Sequence, residues 1–179
     1  KLLKIISLML KSRIDLEGVP EKGTPQGGIL SPLLANVVLN ELDWWLSNQW
    51  MTYHAKKKFK EYVRKNGNVC SNERNWLRKN TNLKEFYFVR YADDFKIICK
   101  SYQEAVKLKI ATINWLKERL SLEVSEEKTK IVNLKKNYSE FLGFKIKVRK
   151  KKKNGRYTII SHMSDKAKER VKNGIKSNL

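Results

Sequence analysis

The chain has 179 residues, with 39 Lys and Arg against 18 Asp and Glu, so its formal net charge is +21. This excess of positive charge exceeds what solubility requires and predicts a polyanionic partner, most simply a nucleic acid. Its 41% hydrophobic residues, with 5 Trp, 7 Tyr and 6 Phe, argue for a folded core and against a disordered basic tail. No apolar run reaches the length of a membrane span, and only two Cys and two His are present. A disulfide scaffold, a zinc site and histidine-based catalysis are therefore disfavoured, and a reducing compartment is expected.

A glycine-rich turn precedes a predicted helix within the stretch KGTPQGGILSPLLANVVLNELDWWL, residues 22–46. Ser31 is expected to be the N-cap and Pro32 the first helical residue. One apolar helical face follows, formed by Leu33, Leu34, Val37, Val38, Leu42 and Trp45. The backbone of the turn at 24–28 can approach another molecule closely, although an ordinary loop before a helix fits equally well.

The next segment, Trp50 to Lys84, is strongly basic and has no clean periodicity. It contains four aromatic side chains that are available to stack on unpaired bases, namely Tyr53, Phe59, Tyr62 and Trp76. Each of them could equally anchor a solvated helical excursion to the rest of the fold. Both interpretations stay open at this point.

Two adjacent aspartates, Asp93 and Asp94, lie within an apolar and aromatic run, EFYFVRYADDFKIICK, residues 85–100. The flanking residues alternate as in strands, so the pair is expected at or beside a hairpin turn. Because like charges repel, a cationic neighbour is expected unless the turn is fully solvated. The pair is either an acidic surface turn or a site for Mg²⁺, which takes one or two protein carboxylates and leaves its other positions to water and phosphate.

The remaining elements are predicted from local patterns. A helix over 102–120 has a capping box of Ser101 and Glu104, and its apolar stripe comprises Val106, Ile110, Ile113, Leu116 and Leu120. In the following strand Phe144, Ile146 and Val148 alternate with Lys145, Lys147 and Arg149, which predicts one buried face and one row of cations suited to phosphates. Asn154-Gly155 predicts a hairpin turn with RYTII as the returning strand, while the 150–153 lysines could form a disordered basic tip. Ser164 is expected to cap a helix with an apolar face of Ala167, Val171, Ile175 and Leu179.

Four of these stretches together resemble reverse transcriptases. TPQGGILSPLLANVVLNELD resembles the fourth conserved block of that family, VRYADDF the fifth, LSLEVSEEKTKI the sixth and FLGF, residues 141–144, the seventh. The form QGGILSPLLAN is similar to proteins encoded within group II introns, which combine reverse transcription with maturase activity. The resemblance implies an α+β fold, the right-hand polymerase palm, in which helices back an antiparallel sheet.

The same resemblance implies an organisation in four parts. Residues 1–49 and 85–160 would form the palm, residues 50–84 a basic insertion, and residues 161–179 the start of an α-helical thumb. The 102–120 helix is expected to pack behind the Asp93 hairpin. The chain is interpreted as a fragment, because Asp15 is the only upstream aspartate and does not match the family's third metal-binding aspartate. The palm-sheet edge is then expected to be unpaired, and Val37, Val38 and Ile97 to be partly uncovered.

Roles for individual residues follow from the resemblance. Asp93 and Asp94 would bind two Mg²⁺ ions, with Mn²⁺ as a possible substitute, together with the aspartate outside this chain. Lys128 would protonate the departing pyrophosphate or neutralise its charge, although a solvated surface lysine fits as well. The nucleotide and template would contact Pro25, Gln26, Gly27, Gly28, Tyr91 and Ala92. The primer grip and the nucleic-acid backbone contacts would comprise Phe141, Leu142, Gly143, Lys145, Lys147 and Arg149.

The implied partners are the intron RNA, an RNA template with a DNA primer, deoxynucleoside triphosphates and a DNA target, with no membrane. An N-terminal fingers–palm segment would complete the metal site. The implied location is the bacterial cytoplasm or an organelle. Two alternatives stay open: a splicing maturase that binds RNA without polymerising, and a reverse transcriptase of another bacterial lineage. The intact Asp93–Asp94 pair weighs against the first, because RNA binding alone gives no reason to keep like charges together.

Overall fold

The computed structural model describes residues 1–10, 30–152 and 154–177. The chain divides into two compact units, Lys1–Glu123 and Val124–Leu179. Helices and antiparallel strands occur in both units, which confirms the predicted α+β class. Within the described ranges no helix is both long enough and apolar enough to cross a membrane.

The first unit consists of helices and two separate β-hairpins. In chain order its elements are α1 (Leu2–Leu10), α2 (Ser31–Gln49), β1 (Glu61–Val63), β2 (Val69–Ser71), α3 (Glu73–Asn80), β3 (Phe86–Tyr91), β4 (Asp94–Cys99) and α4 (Tyr102–Leu120). Strand β1 pairs with β2 and β3 with β4, both antiparallel. Helix α2 packs on β3, and α4 packs on β4 as expected. The hairpin that carries Asp93 is therefore supported by two long helices.

The core of the first unit lies where the C-terminal half of α2 meets α3, β3 and α4. Its buried apolar side chains are Leu42, Leu46, Trp50, Leu77, Phe86 and Leu116. Trp45 of α2 stacks on Trp115 of α4 with ring centroids 5.0 Å apart and an interplanar angle of 16°. An offset aromatic pair of this kind contributes about 0.5–1.5 kcal/mol beyond the area that it buries. The two helices are thereby fixed to each other at one point along their length.

Two predictions for α2 are corrected. Ser31 is the first helical residue and Leu30 occupies the N-cap position, although Pro32 lies in the first turn as expected. The predicted apolar face is buried only towards its C-terminal end, because Val37 is 63% exposed and Val38 44%. A helix of 19 residues is about 28 Å long, whereas six-residue strands reach only about 20 Å, so this hairpin cannot cover the whole face. Exposure of Val37 and Val38 agrees with the expectation of a partly uncovered palm face.

Helix α4 begins as predicted but presents a slightly different face. The capping box is confirmed, since Ser101 Oγ accepts from the Glu104 N–H at 3.2 Å and Glu104 Oε2 accepts from the Ser101 N–H at 3.3 Å. The prediction for Ile110 is wrong, because this side chain is 55% exposed. Leu116 is buried as predicted, whereas Thr112, which the stripe did not include, is the other buried position. The Trp45–Trp115 stack sets the rotation of the helix, and periodicity alone does not specify which aromatic ring makes that contact.

The 50–84 segment is anchored to the end of α2 by one arginine. The Arg74 guanidinium donates hydrogen bonds to the carbonyl oxygens of Trp50, Met51 and Tyr53 at 2.6, 2.7 and 3.0 Å. These carbonyls follow the helix C-terminus, where acceptors lack intrahelical partners. Glu73, next in sequence, accepts from the Ala55 N–H at 2.7 Å. The segment is therefore an ordered excursion of a hairpin and a helix.

The second unit is a three-stranded antiparallel sheet followed by one helix. Its elements are β5 (Ser139–Phe141), β6 (Phe144–Lys150), β7 (Tyr157–Met163) and α5 (Asp165–Lys176), with strand order β5-β6-β7. Ser164 caps α5 as predicted, because its hydroxyl accepts from the Ala167 N–H at 3.3 Å. The predicted β6–β7 hairpin is present, but Lys151 N–H donates to Arg156 O at 2.8 Å, so the connection is longer than a two-residue Asn-Gly turn.

The apolar faces predicted for β6 and α5 are largely uncovered. Phe144 is 49% exposed and only Ile146 and Val148 are half-buried, so the prediction of a buried face is wrong at Phe144. Val171 and Ile175 of α5 are 51% and 56% exposed, and Leu179 lies outside the described residues. Three strands and a helix of 12 residues provide too little surface to cover both sides of a sheet.

Candidate functional site

The Asp93–Asp94 pair lies at the tip of the β3–β4 hairpin. Tyr91 pairs with Asp94 in the ladder, which leaves Ala92 and Asp93 as the two turn residues. Both aspartates are exposed, and so are Tyr91 and Ala92. The turn therefore presents two neighbouring carboxylates to solvent, as the sequence predicted.

The backbone of this turn is strained at Ala92. Its φ is 50°, in the left-handed region, where a residue with a Cβ pays roughly 1–2 kcal/mol. A two-residue hairpin loop favours a positive φ at its first position, which is usually filled by Gly, Asn or Asp, so an alanine there needs support from its surroundings. The Ala92 carbonyl accepts a hydrogen bond at 2.8 Å from Arg90 Nη1, which fixes the turn from inside the hairpin.

Arg90 connects the same turn to helix α2. Its guanidinium makes a bidentate pair with Asp43, with Nε···Oδ1 of 2.8 Å and Nη2···Oδ2 of 2.5 Å, and Nη1 also donates to Asn36 Oδ1 at 2.9 Å. The Arg90 side chain is only 10% exposed, and hydrogen bonding to Asp43 raises its pKa above the ordinary value. This set of contacts among Arg90, Asp43, Asn36 and Ala92 is called the Arg90 clamp below.

The clamp was not predicted from the sequence, which indicated only that a cation should lie near the aspartate pair. Arg90, whose guanidinium hydrogen bonds the carbonyl of Ala92 next to Asp93, is the cation that the structure places beside this turn. A signal was present, because Asn36 and Asp43 lie two helical turns apart and therefore on one side of an otherwise apolar helix. The sequence alone did not indicate that Arg90 of β3 would be the residue that contacts Asn36 and Asp43.

The tip provides part of a hard-cation site. Mg²⁺ accepts one or two protein carboxylates and keeps water or phosphate in its other positions, which fits two exposed aspartates. In the part of the chain that the structure describes, no group of three or more His, Cys, Asp or Glu residues is placed to hold a metal ion. The chemistry of the pair therefore fits Mg²⁺, while two ions would need a further ligand.

At its open end the same hairpin is tied to α3 through Glu85. The Glu85 carboxylate, 9% exposed, accepts from Arg78 Nε and Nη2 at 2.9 and 2.6 Å, from the Tyr87 hydroxyl at 3.0 Å and from the Lys100 ammonium. Hydrogen bonding to Arg78 is the main reason that the pKa of Glu85 falls to about 2. One carboxylate thus joins α3 to residues at the ends of both strands.

Several predicted site residues lie elsewhere. Pro25, Gln26, Gly27 and Gly28 are outside the described residues. Lys128 is exposed in the turn at 126–128, which belongs to the second unit, whereas the Asp93–Asp94 tip belongs to the first. Among the predicted stacking aromatics, Phe59 and Trp76 pack on each other at 5.7 Å. Tyr53 and Tyr62 are 38% and 44% exposed.

The predicted primer-grip residues form a second tight turn. Phe141 pairs with Phe144, which leaves Leu142 and Gly143 between β5 and β6, and both have positive φ, 50° and 78°. Two left-handed residues in succession are typical of a type I′ turn, which favours glycine at the second position. The Gly143 carbonyl accepts from the Ser164 N–H at 2.7 Å, so this turn lies beside the start of α5.

The predicted cations of β6 differ in their surroundings. Lys145 forms an ion pair with Asp165, which raises the pKa of Lys145 above its ordinary value. The Lys147 ammonium lies 5.1 Å from the centroid of the Tyr138 ring, within the range of a cation–π contact. Arg149 is exposed. The structure thus places the three on one strand, with differing availability to a ligand.

Comparisons with known proteins place the chain among reverse transcriptases. Residues 5–146 match the family described as reverse transcriptase (RNA-dependent DNA polymerase). Protein YkfC of Escherichia coli is 31% identical over 152 residues, covering 83% of this chain and 38% of that protein. Group II intron-encoded protein LtrA of Lactococcus lactis is 33% identical over 172 residues, covering 72% of this chain and 26% of that protein.

A eukaryotic protein is also similar to this chain. The putative COX1/OXI3 intron 1 protein of Saccharomyces cerevisiae is 27% identical over 165 residues, covering 80% of this chain and 20% of that protein. The chain thus spans between 20% and 38% of the length of these three curated relatives.

Proposed function

The chain belongs to the reverse transcriptase family, and from that membership we propose that it supplies the catalytic hairpin of an RNA-directed DNA polymerase encoded by a group II intron. Reverse transcriptases use divalent metal ions and have nucleic acids as partners. The observation that carries the proposal is the Asp93–Asp94 tip, where two exposed carboxylates stand on a strained turn that the Arg90 clamp fixes to α2.

Asp93 and Asp94 would hold Mg²⁺, or Mn²⁺ in its place, and a fingers–palm segment would add the further carboxylate that two ions require. Bound metal would lower the pKa of the primer 3′-hydroxyl and stabilise the charge of the triphosphate leaving group. The contribution of this chain is positional. Exposure of the two carboxylates leaves room for water and substrate phosphates, and the hydrogen bond from Arg90 to the Ala92 carbonyl holds the turn.

The incoming nucleotide would contact the residues beside the aspartates. Tyr91 and Ala92 directly precede them on the hairpin, and the same substrate is assigned to Pro25, Gln26, Gly27 and Gly28 on the family resemblance. Lys128 is assigned to the departing pyrophosphate, whose charge an exposed lysine can neutralise.

The primer–template duplex would lie along the second unit's sheet. The Phe141–Gly143 turn would contact the primer end, and Lys145, Lys147 and Arg149 would contact backbone phosphates. Because Lys145 already pairs with Asp165, a phosphate at this position has to compete with that carboxylate. Arg149 has no such competitor among the residues that the structure describes.

We further propose that the protein acts as a maturase on its intron RNA and uses a DNA target. The 50–84 segment supports RNA binding, since it is basic and leaves Tyr53 and Tyr62 exposed. The proposed location is the bacterial cytoplasm or an organelle, in keeping with relatives from two bacteria and from a yeast intron.

The proposal is tested by separating DNA synthesis from RNA binding in the full-length protein. Asp93→Asn and Asp94→Asn, which keep side-chain size and remove one charge each, should reduce primer extension by at least about 100-fold. Binding of the intron RNA should change by no more than about 3-fold, because the basic surface that supplies it is unchanged. Glu118→Gln, on the exposed side of α4, is the matched control and should change neither activity. Equal loss of both activities would show that the pair is structural, and undiminished synthesis would favour an RNA-binding role without polymerisation by this site.

A further inference from the structure

An open groove of about 500 Å³ lies in the second unit, between the loop at 134–138 and strands β6 and β7. This volume is within the roughly 300–1,000 Å³ that ligand pockets occupy. Among the described residues that line it are four cations, two tyrosines and no carboxylate. The charged and aromatic members are Lys135, Lys147, Arg149, Lys150, Tyr138 and Tyr157.

The groove exists because β5 is shorter than β6. Strand β5 pairs only with Phe144–Ile146, so the 147–150 part of β6 has a free edge on that side within the described sheet. The 134–138 loop takes that place, and the Val148 N–H donates to Leu134 O at 2.9 Å. Asn133 holds the loop, since its Oδ1 accepts from the Lys135 N–H at 3.0 Å and its carbonyl from the Asn137 N–H at 2.8 Å. The walls are therefore preformed.

Both tyrosine rings are already matched with a cation. The Lys135 ammonium lies 4.7 Å from the Tyr157 ring centroid, and the Lys147 ammonium lies 5.1 Å from the Tyr138 centroid. Tyr157 nevertheless remains 56% exposed and Tyr138 44% exposed. Exposed aromatic rings therefore lie next to lysine ammonium groups, and proteins that bind single-stranded nucleic acid use this combination.

We propose that this groove binds one unpaired nucleotide, of RNA or of single-stranded DNA. The base would stack on Tyr157, the more exposed of the two rings, and the adjoining phosphates would contact Lys135, Arg149 and Lys150. A continuous duplex cannot use the groove in this way, because its bases are stacked on one another and present only backbone to a flat ring. The site goes beyond the proposed polymerase chemistry and does not involve the Asp93–Asp94 pair.

The test is a binding titration of the full-length protein by fluorescence anisotropy. The probes are a labelled 12-nucleotide RNA, the same strand with abasic sites, the same strand as DNA, and the fully paired duplex. Base stacking is worth about 1–3 kcal/mol per base, so Tyr157→Ala should weaken binding of the single-stranded RNA by about 5-fold or more. Tyr157→Phe keeps the ring and should stay within about 2-fold of wild type. Tyr102→Ala, which removes a 72% exposed tyrosine from α4, is the matched control and should have no effect.

The abasic strand makes the test specific for stacking. It should bind wild type more weakly than the intact strand, and Tyr157→Ala should then cause no further loss. An effect of Tyr157→Ala on both RNA and DNA assigns the groove to unpaired nucleic acid of either sugar, and an effect on RNA alone assigns it to RNA.

The proposal is overturned if Tyr157→Phe is as weak as Tyr157→Ala, if the abasic strand binds as tightly as the intact one, or if the duplex shows the same sensitivity. It is also overturned if an oligoglutamate peptide displaces the RNA from wild type but not from Tyr157→Ala, which would indicate a site for acidic peptides. None of these readouts uses DNA synthesis, so failure here leaves the polymerase proposal intact.

Discussion

At the scale of single residues, the position of the two carboxylates depends on Arg90. A hydrogen bond to a charged group contributes about 1.5–3 kcal/mol, and the guanidinium makes four, to Asp43 twice, to Asn36 and to the Ala92 carbonyl. Together they are sufficient to offset the roughly 1–2 kcal/mol of left-handed strain at Ala92. The clamp therefore stabilises this turn at the exposed tip of the hairpin.

Arg90→Lys should reduce the rate of nucleotide incorporation by about 10- to 100-fold while intron RNA affinity stays within about 3-fold. Lysine keeps the charge but cannot make the bidentate pair with Asp43 and reach the Ala92 carbonyl as well, so the aspartates shift. Single-turnover incorporation at saturating nucleotide measures the effect. Arg119→Lys, at an exposed position of α4, is the matched control. An Arg90→Lys variant with wild-type incorporation would show that the clamp does not position the site.

At the scale of elements, Glu85 joins α3 to the β3–β4 hairpin through a carboxylate that is held ionised. Its pKa is lowered to about 2, chiefly by the Arg78 hydrogen bonds. The unfolded chain would titrate near the ordinary value of 4.5, so the stabilisation is complete above that pH and is lost as the pH falls towards about 2. The difference corresponds to at most about 3 kcal/mol, reduced by solvent screening because Lys100 is 64% exposed.

Glu85→Gln should lower the free energy of unfolding by about 1–2 kcal/mol at pH 7. The difference from wild type should shrink as the pH is lowered below about 4.5, since protonation then removes the same charge from the wild-type side chain. Urea denaturation at pH 7, 5, 4 and 3 measures it. Glu118→Gln, an exposed carboxylate on α4, should show no such dependence. A destabilisation that stays constant down to pH 3 would mean that the Glu85 charge is not the cause.

Strand β6 should contribute to duplex binding unevenly along its length. Arg149→Ala and Lys147→Ala should each flatten the log–log salt dependence of primer–template binding by about one unit, because each variant neutralises one phosphate fewer than wild type. Lys145→Ala should flatten it by less, because Asp165 already neutralises this lysine and fewer counterions are released when it binds phosphate. Lys107→Ala on α4 is the control. An unchanged slope in all three variants would remove β6 from the duplex interface.

At the scale of the whole molecule, the elements that the sequence predicted are those whose signals are local. The capping box of α4, the Ser164 cap and the aspartate hairpin depend on residues a few positions apart, and all three are found. The errors at Ile110 and Phe144 concern which side of an element is covered, and that depends on partners distant in sequence. The Arg90 clamp is the extreme case, since Arg90 meets Asp43 and Asn36 across 47 and 54 positions. Its geometry required the fold to be known.

Uncovered apolar surface on α2 leads to a prediction for the 179-residue chain itself. Leu33, Val37 and Val38 are all more than 40% exposed, and the described residues lack a third metal carboxylate. We expect this chain alone to associate through that surface and not to extend a primer. A fingers–palm segment, supplied in cis or as a separate chain, should cover that surface and restore a monodisperse species.

Static light scattering of the isolated chain, with and without that segment, provides the measurement. Val37→Lys should reduce self-association of the chain. It should also weaken binding of the fingers–palm segment, because we expect the chain to use the same α2 surface for both contacts. Ile110→Lys places the same charge at an exposed apolar position on α4, and in this variant the segment should still restore a monodisperse species. Robust primer extension by the isolated chain would show that the metal site is complete without any further segment.

The central claim is that Asp93 and Asp94 are metal ligands, and a change of metal preference tests it most directly. In the full-length protein, Asp93→Cys and Asp94→Cys replace a hard oxygen ligand by a soft thiolate, which binds Mg²⁺ poorly and Mn²⁺ or Cd²⁺ better. Single-nucleotide incorporation should fall by at least about 100-fold in Mg²⁺ and recover by at least about 10-fold when Mn²⁺ or Cd²⁺ is added, while Glu118→Cys shows neither effect. Incorporation that stays high in Mg²⁺, or that is lost equally with every metal, would contradict metal binding by this pair.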